Sequence, residues 1–294
     1  MASNDDVSKL RTVVVTGATD GLGRATALML AAHGYRVFGG GRNASKLASL
    51  QSEASQRKLA LTALEMDVTS DESVGRAIET IRSAAGTIDI LINNAGIGFV
   101  APMEEISLAD LRRQYETNVF GVVRVTQQVL PGMRAQGRGR IVNMSSVAGK
   151  VSSPLFGAYS SSKFALESIS DAWRLELDQF GIQVILIEPG IIPSGMENAA
   201  RELSRAYIDR QPGPYAAMKA SFESMWAAET AKAQDTPDDC ARVILNALRT
   251  ARPKARYPVT STATIMSYLR RIVTDRMLDR MILSRYKLPK SDPV

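Results

Sequence analysis

Cysteine and histidine are almost missing from this 294-residue chain: Cys240 and His33 are the only ones. A single cysteine excludes an internal disulfide and a Cys-rich metal site. A single histidine excludes a His-rich metal site and most His-based triads. We therefore expect no metal, and read both residues as structural. No apolar run reaches the roughly 18 residues of a membrane span. The start, Met1-Ala-Ser-Asn-Asp-Asp-Val, is polar and acidic, without a charged-then-apolar signal segment. These absences point to a soluble, cytoplasmic protein. Aromatic-interleaved basic strands and reading helices are also missing. The net charge of +6, mostly from the C-terminal part, therefore does not argue for nucleic acid. No repeat and no Pro/Gly/Ser linker divides the chain, so residues 1–294 read as a single domain.

What is present is alternation. Thr12 to Thr16 is a short β-branched run that reads as a buried strand. A glycine loop, Gly17-Ala18-Thr19-Asp20-Gly21-Leu22-Gly23, follows, and then a helix over Arg24 to Ala32. Further strands are expected at Tyr35–Gly39, Leu59–Met66, Ile88–Ile92, Arg140–Met144 and Gln183–Glu188. Helical patterns lie between them at Ser45–Arg57, Asp71–Ala85, Leu108–Met133 and from Tyr159 to Gly181. Strand and helix alternating in this way predict an α/β fold. The expected architecture is a Rossmann-like, doubly wound parallel sheet with helices on both faces. After Pro189 the regularity lapses. Residues 191–235 hold Pro212-Gly213-Pro214 and the apolar side chains Ile191, Ile192, Met196, Leu203, Tyr207, Ile208, Tyr215, Met218, Phe222, Met225 and Trp226. We expect a helical lid at a strand's C-terminal end, where ligands of such sheets bind. A helix from Pro237 to about Thr250 and an edge strand near Arg256–Thr260 complete the pattern.

The chemistry gathers at Tyr159-Ser-Ser-Ser-Lys163. Positions four apart on a helix are neighbours. A free phenol has a pKa of about 10 and is a poor base near neutral pH. An ammonium beside it is expected to favour the phenolate and lower that value. Along this helix Ala165, Ile169, Ala172, Trp173 and Phe180 read as the apolar face, and Glu167, Asp171, Arg174 and Asp178 as the other. Glycines at a strand end and helix start let the backbone approach a pyrophosphate. The spacing here, Gly17-x-x-x-Gly21-x-Gly23, is not the Gly-x-Gly-x-x-Gly of the two-domain dehydrogenases. Asn93-Asn94-Ala95-Gly96 ends the fourth strand, where amides can brace neighbouring strand ends. Ser145-Ser146 ends the fifth. A hydroxyl there can hydrogen-bond a substrate carbonyl oxygen, or simply cap a turn. Asn118 is polar within an apolar helical stretch, where a local backbone bond would also account for it.

Taken in order, Thr16-Gly17-x-x-x-Gly21-x-Gly23, Asn93-Asn94-Ala95-Gly96, Asn118, Ser146, Tyr159-x-x-x-Lys163 and Pro189-Gly190 resemble the short-chain dehydrogenase/reductase family over roughly residues 10–195. The resemblance implies that Tyr159 is the acid/base and that Lys163 lowers its pKa and holds the nicotinamide ribose. It implies that Ser146, rather than Ser145, orients the carbonyl and that Asn118 holds a proton-relay water. It also implies a dinucleotide site along Gly17, Asp20, Gly21, Leu22, Gly23, Asn94, Ala95, Gly96, Pro189, Gly190 and Ile192. Ser194 would bind the nicotinamide amide, and Asp67 and Val68 the adenine. A homodimer or homotetramer is implied as well. Ile187-Glu188-Pro189-Gly190 and Arg256-Tyr257-Pro258-Val259 look similar to hydroxysteroid and retinol dehydrogenase-like branches.

Cofactor choice follows from charge. An acid at the end of the second strand would bind the 2′-hydroxyl of NAD. This strand runs into Gly39-Gly40-Gly41-Arg42-Asn43, and arginine suits phosphate. The expectation is NADP(H), with Arg42 as a surface residue at a helix start the competing reading. Asp20 runs against it, because many NADP-using relatives place a basic residue nearby. The expected reaction interconverts a secondary alcohol and a ketone on an apolar, steroid-, retinoid- or lipid-like substrate. The alternatives are a non-catalytic dinucleotide-binding redox sensor and a membrane-surface scaffold. Residues 262–287 carry an apolar stripe of Ile265, Met266, Leu269, Ile272, Val273, Met277, Leu278, Met281 and Ile282. Arg270, Arg271, Arg276, Arg280 and Arg285 flank it. Such an amphipathic extension can lie on an anionic membrane, close over substrate, pack on a subunit, or be an ordinary packed terminal helix.

Overall fold

Every residue of the first strand, β1 (Thr12–Val15), is buried, because it has strands on both sides and helices above and below. The computed structural model describes residues 11–210, 213–270 and 272–286. Met1 to Val7, Pro212, Arg271 and residue 287 of the expected tail lie outside the described residues. The other strands are β2 (Arg36–Gly41), β3 (Leu61–Glu65), β4 (Ile90–Asn93), β5 (Gly139–Met144), β6 (Ile182–Glu188) and β7 (Arg256–Pro258). They form one sheet in the order β3-β2-β1-β4-β5-β6-β7, every pair parallel. β1 is paired with both β2 and β4, so the winding reverses there and opens a crevice beyond the strand ends.

The helices follow in chain order: α1 (Gly21–Ala32), α2 (Ala44–Gln56), α3 (Asp71–Ala85), α4 (Leu108–Tyr115), α5 (Gly121–Gln136), α6 (Gly157–Glu176), α7 (Met196–Ile208), α8 (Ala216–Lys232), α9 (Pro237–Arg249), α10 (Ser261–Leu269) and α11 (Asp275–Tyr286). Successive strand residues point to opposite faces, and the core divides accordingly. Val13 and Val15 pack with Leu30 of α1, Leu50 of α2 and Ile244 and Leu248 of α9. Val14 packs on the other face with Ile78 and Ile81 of α3 and Val125 and Met133 of α5. Each such aliphatic side chain, fully buried, contributes about 1.5–3 kcal/mol.

Four expectations are corrected in detail. α1 starts at Gly21 rather than Arg24, because the Asp20 carboxylate accepts the Gly21 N–H at 2.9 Å and caps the helix. β2 runs on to Gly41, because its glycines are needed inside the sheet. A Cβ on Gly41 would come within 2.5 Å of Thr19 and one on Gly40 within 3.0 Å of Met66. The helix expected over 108–133 carries a wide π turn at Glu116–Phe120 between α4 and α5. The tail is two helices rather than one, broken between Leu269 and Asp275.

The face of α6 assigned to charge is also not a solvated one. Glu167 is buried, and Asp171 pairs with Arg256 of β7 at 2.6 Å. Phe180, expected on the apolar face, sits on a separate 3₁₀ turn and is partly exposed. The lid is two helices, α7 and α8, placed directly after β6. His33 and Cys240 are structural as expected. His33 closes α1, its ring nitrogen 2.8 Å from the Met29 carbonyl, and Cys240 is buried in the core. Burial pushes the Cys240 thiol up to about 12. Among the described residues, no helix is long and apolar enough to cross a membrane.

Candidate active site

The ends of β1, β4, β5 and β6 are tied together by side-chain amides and hydroxyls. Asn94 donates to the carbonyls of Thr16 and Gly17, both at 3.0 Å, and the Thr16 hydroxyl accepts the N–H groups of Asn94 and Ala95. Asn93 donates to Thr126 of α5 and to Asn143 of β5, and Asn143 donates to Ser170 of α6 at 2.8 Å. The Asn-Asn pair thus works in two directions: Asn94 fixes the glycine loop and Asn93 fixes β4 to its helices.

The glycine loop is held by packing. Gly17 has φ +63°, which L side chains rarely adopt, and a Cβ there would lie 2.8 Å from the Ala95 Cα. A Cβ on Gly23 would lie 2.2 Å from the Gly17 carbonyl. The first N–H groups of a helix have no acceptor within it. Asp20 takes that of Gly21, and those of Leu22 and Gly23 are what α1 offers to an anion. Asp20 itself is occupied, with Lys46 of α2 at 2.5 Å. That ion pair, together with its hydrogen bond from Gly21, holds its carboxyl below the usual range despite partial burial. Ser194 packs its carbonyl against Gly21, where a Cβ would meet it at 2.6 Å.

Arg42 follows β2 immediately and is exposed, its guanidinium 3.7 Å from the Asp67 carboxylate. It lines a cavity of about 370 Å³ with Thr69, Ile97, Arg112, Arg113, Glu116 and Thr117. Val68 is buried beneath this end, against Gly121. Ile192 is buried in the core with Ile187 and Ile244, so its side chain is structural rather than a cofactor contact. Gly190 is close to α10: a Cβ would come within 2.2 Å of the Thr260 hydroxyl.

Ser146, Tyr159 and Lys163 meet at the end of β5. The Ser146 hydroxyl accepts the Ala148 N–H at 3.1 Å and donates to the Pro189 carbonyl at 3.3 Å. It also bonds to the Tyr159 side chain. Ser145 turns the other way: its hydroxyl is buried without a partner, beside Gly149. The geometry therefore separates the two serines. Lys163 is buried, donates to the Met144 carbonyl at 2.7 Å, and lies 5.7 Å from the centre of the Tyr159 ring.

The expected lowering of the tyrosine by the lysine does not hold in this structure. Burial pushes the Tyr159 phenol up to about 12, with the Ser146 bond pulling back. Burial also brings Lys163 down to about 8, opposed by the charge of Glu167. The ammonium itself is hydrogen-bonded to the Met144 carbonyl.

Asn118 sits on the π turn and is fully buried. Its amide donates to the Ile97 carbonyl at 2.9 Å and to Ser162 at 3.1 Å, and its oxygen accepts the Ile97 N–H. Both donors are thus committed to the protein. The side chain clamps the segment that follows Gly96. Gln114, one turn earlier, clamps the same segment through Phe99 N–H and Ile97 O. It was missed in the sequence, although Gln114-x-x-x-Asn118 inside an apolar helix is a readable signal. Phe156 was missed too, for want of any motif. It packs edge-on to Tyr159 at 6.3 Å between ring centres and carries Phe222 and Trp226 of α8 at 5.4 and 5.5 Å. The lid thus puts an aromatic wall beside the tyrosine.

Comparison with known proteins agrees with this arrangement. The family model described as short chain dehydrogenase matches residues 11–204. Human retinol dehydrogenase 8 is 33% identical over 289 residues, covering 92% of this chain and 91% of that protein. The NADPH-dependent 3-dehydrocapnine reductase of Ornithobacterium rhinotracheale is 32% identical over 285 residues, covering 95% and 98%. A short chain dehydrogenase/reductase from Burkholderia phymatum, solved in complex with NAD, superposes with a TM-score of 0.79 at 24% identity over 97% of this chain and 98% of that one.

Proposed function

This chain belongs to the short-chain dehydrogenase/reductase family and is an oxidoreductase acting on CH–OH groups, and we propose that it reduces an apolar ketone with NADPH. The observation that carries the reading is the convergence of Ser146, Tyr159 and Lys163 at the strand ends beside an aromatic lid. With its pKa near 12, the Tyr159 phenol is protonated at neutral pH and ready to give a proton. Ser146 would turn its hydroxyl from the Pro189 carbonyl to the substrate oxygen and hold it toward that proton. Lys163 supplies the positive charge that favours the phenolate left behind. Bound NADPH supplies a hydride. It would be held by the N–H groups at the start of α1, by Asn94 to Gly96, by Asp67 and Val68 at the adenine end, and by Ser194 and Lys163 at the other. The loop glycines and the free first turn of α1 fit such a group, and intact Ser146, Tyr159 and Lys163 argue against a non-catalytic sensor.

NADP(H) rather than NAD(H) is supported by Arg42, exposed at the end of β2 where no acid stands. The 3-dehydrocapnine reductase is NADPH-dependent, whereas the Burkholderia phymatum structure holds NAD. An apolar substrate is supported by Phe156, Phe222 and Trp226, and by the retinol dehydrogenase among the relatives. Self-association is supported by large apolar side chains left exposed: Leu108 on α4, Phe120 on the π turn, and Phe164 and Leu175 on α6.

A second reading concerns the tail. α11 packs on the lid through Ile282 and Tyr286, and Tyr286 donates to the Pro154 carbonyl at 2.9 Å. Ile265, Tyr268, Ile272, Met277 and Met281 stay exposed, with Arg276 and Arg280 beside them. This outer surface has the chemistry of a peripheral contact with anionic lipid.

Tyr159→Phe keeps the ring and is expected to lower turnover by about 10²–10⁴-fold while NADPH still binds. Full turnover in that variant would remove the phenol from the mechanism. Arg42→Ala is expected to weaken NADPH binding far more than NADH binding, as read by fluorescence titration. Equal losses would mean that Arg42 does not read the 2′-phosphate. Trp226→Ala should raise KM for bulky apolar ketones more than for small ones, and an unchanged ratio would count against the lid as a substrate wall. Sedimentation velocity should find a dimer or tetramer that co-pellets with phosphatidylserine vesicles and releases when Ile272, Met277 and Met281 become serine. A monomer would contradict the first part, and salt-independent absence from the pellet the second.

A further inference from the structure

Behind Lys163, away from the substrate side, lies a buried group of charges that the reaction as described does not use. Glu167 stands one turn further along α6 and Glu188 at the end of β6, both buried. Lys150, from the loop after β5, pairs with Glu167 and lies 3.3 Å from Glu188. Arg256 of β7 reaches Glu167 at 3.0 Å, Glu188 at 3.3 Å and Asp171 at 2.6 Å. Asp171 is shared at the half-exposed rim with Arg174. The pairing is uneven. Lys150 and Arg256 both engage Oε2 of Glu167, whose Oε1 is buried without a hydrogen-bond partner, while Oε1 of Glu188 lies 3.3 Å from both cations without a hydrogen bond. An unpartnered buried carboxylate oxygen is costly. One turn back along α6 is the Lys163 ammonium, itself buried and bonded to the Met144 carbonyl.

We propose that Glu167 is a positioning residue for the reaction: its half-paired carboxylate fixes the charge of Lys163, and Arg256, brought in by edge strand β7, sets how much of that charge Lys163 feels. The groups facing Lys163 are then Tyr159 and Glu167 from its own helix and the Met144 carbonyl from β5. Glu188, Lys150 and Arg256 form the layer behind, with Asp171 and Arg174 at its rim. Burial lowers the Lys163 ammonium to about 8, and Glu167 is the group that opposes this. Burial and the neighbouring Glu167 raise Glu188, against Lys150 and Arg256. Two acids this close do not both carry full charge easily. Removing the Glu167 charge therefore discharges Lys163 at lower pH. Removing Arg256 frees the Glu167 charge and keeps Lys163 protonated to higher pH. This rests on the proposed function for what the lysine does, but not for whether it is tuned.

The test follows the ε-carbon resonance of Lys163 in protein labelled with ¹³C-lysine, assigned by its loss in Lys163→Arg. It needs neither cofactor nor substrate, so its failure is separate from a failure of ketone turnover. In Glu167→Gln the titration midpoint is expected to fall by about one unit, and in Arg256→Met to rise, with Glu167→Asp closer to the unsubstituted protein. The alkaline limb of the reduction rate against pH should move the same way in each variant. A merely structural role would lower the rate without moving either midpoint. An unchanged Lys163 midpoint in Glu167→Gln, or shifts of the same sign in Glu167→Gln and Arg256→Met, would overturn the proposal. Should Glu167→Gln not fold, Arg256→Met decides alone: a rise supports it, and no change or a fall overturns it.

Discussion

Burying an ammonium costs several kcal/mol unless it is paired and hydrogen-bonded, and the site is arranged around the Lys163 ammonium. One turn of α6 carries Tyr159 on one side of it and Glu167 on the other. The strand end supplies the Met144 carbonyl, which takes the ammonium at 2.7 Å. That bond fixes α6 against β5, and with it the height of the Tyr159 ring beside Ser146. Burial keeps the phenol protonated in the protein alone. A protonated tyrosine can give a proton to a carbonyl oxygen.

Around this centre the polar side chains are braces. Asn93, Asn143, Thr126 and Ser170 join β4, β5, α5 and α6 in one buried run, and Asn94 with Thr16 joins β4 to the glycine loop. Gln114 and Asn118 hold the Ile97–Phe99 segment, whose middle residue Gly98 lies against the Tyr159 ring, where a Cβ would sit 3.5 Å away. Each brace satisfies groups that would otherwise be buried and unpaired, at about 1–3 kcal/mol apiece. Together they keep the ends of β1, β4 and β5 and the helices α5 and α6 at fixed distances without a disulfide. The face beside the tyrosine ring is built differently, from the apolar contacts of Phe156, just before α6, with Phe222 and Trp226 of α8.

The alternation of strand and helix was legible because β-branched runs and 3.6-residue periodicity are local signals, and the sheet follows from them. The site was legible where chemistry demands a residue type at a fixed spacing, as at Gly17-x-x-x-Gly21-x-Gly23 and Tyr159-x-x-x-Lys163. Long-range contacts were not. Nothing in the neighbourhood of Glu167 announces that Arg256, 89 residues later, will bury it. The bonds from Asn118 to Ile97 and Ser162 are equally silent in the sequence. The break between α10 and α11 was hidden because both helices keep one apolar stripe. The direction of the Lys163 ammonium is a matter of where β5 ends.

The central claim is that this chain transfers hydride from NADPH to the carbonyl carbon of an apolar ketone, while Tyr159 gives the proton. The most direct measurement uses NADPH deuterated at one or the other hydrogen of nicotinamide C4, a bulky apolar ketone, and mass spectrometry of the alcohol formed. The account predicts one deuterium on the carbinol carbon from one of the two labelled cofactors and none from the other. Absence of label from both, or an alcohol that forms without cofactor oxidation, would contradict it.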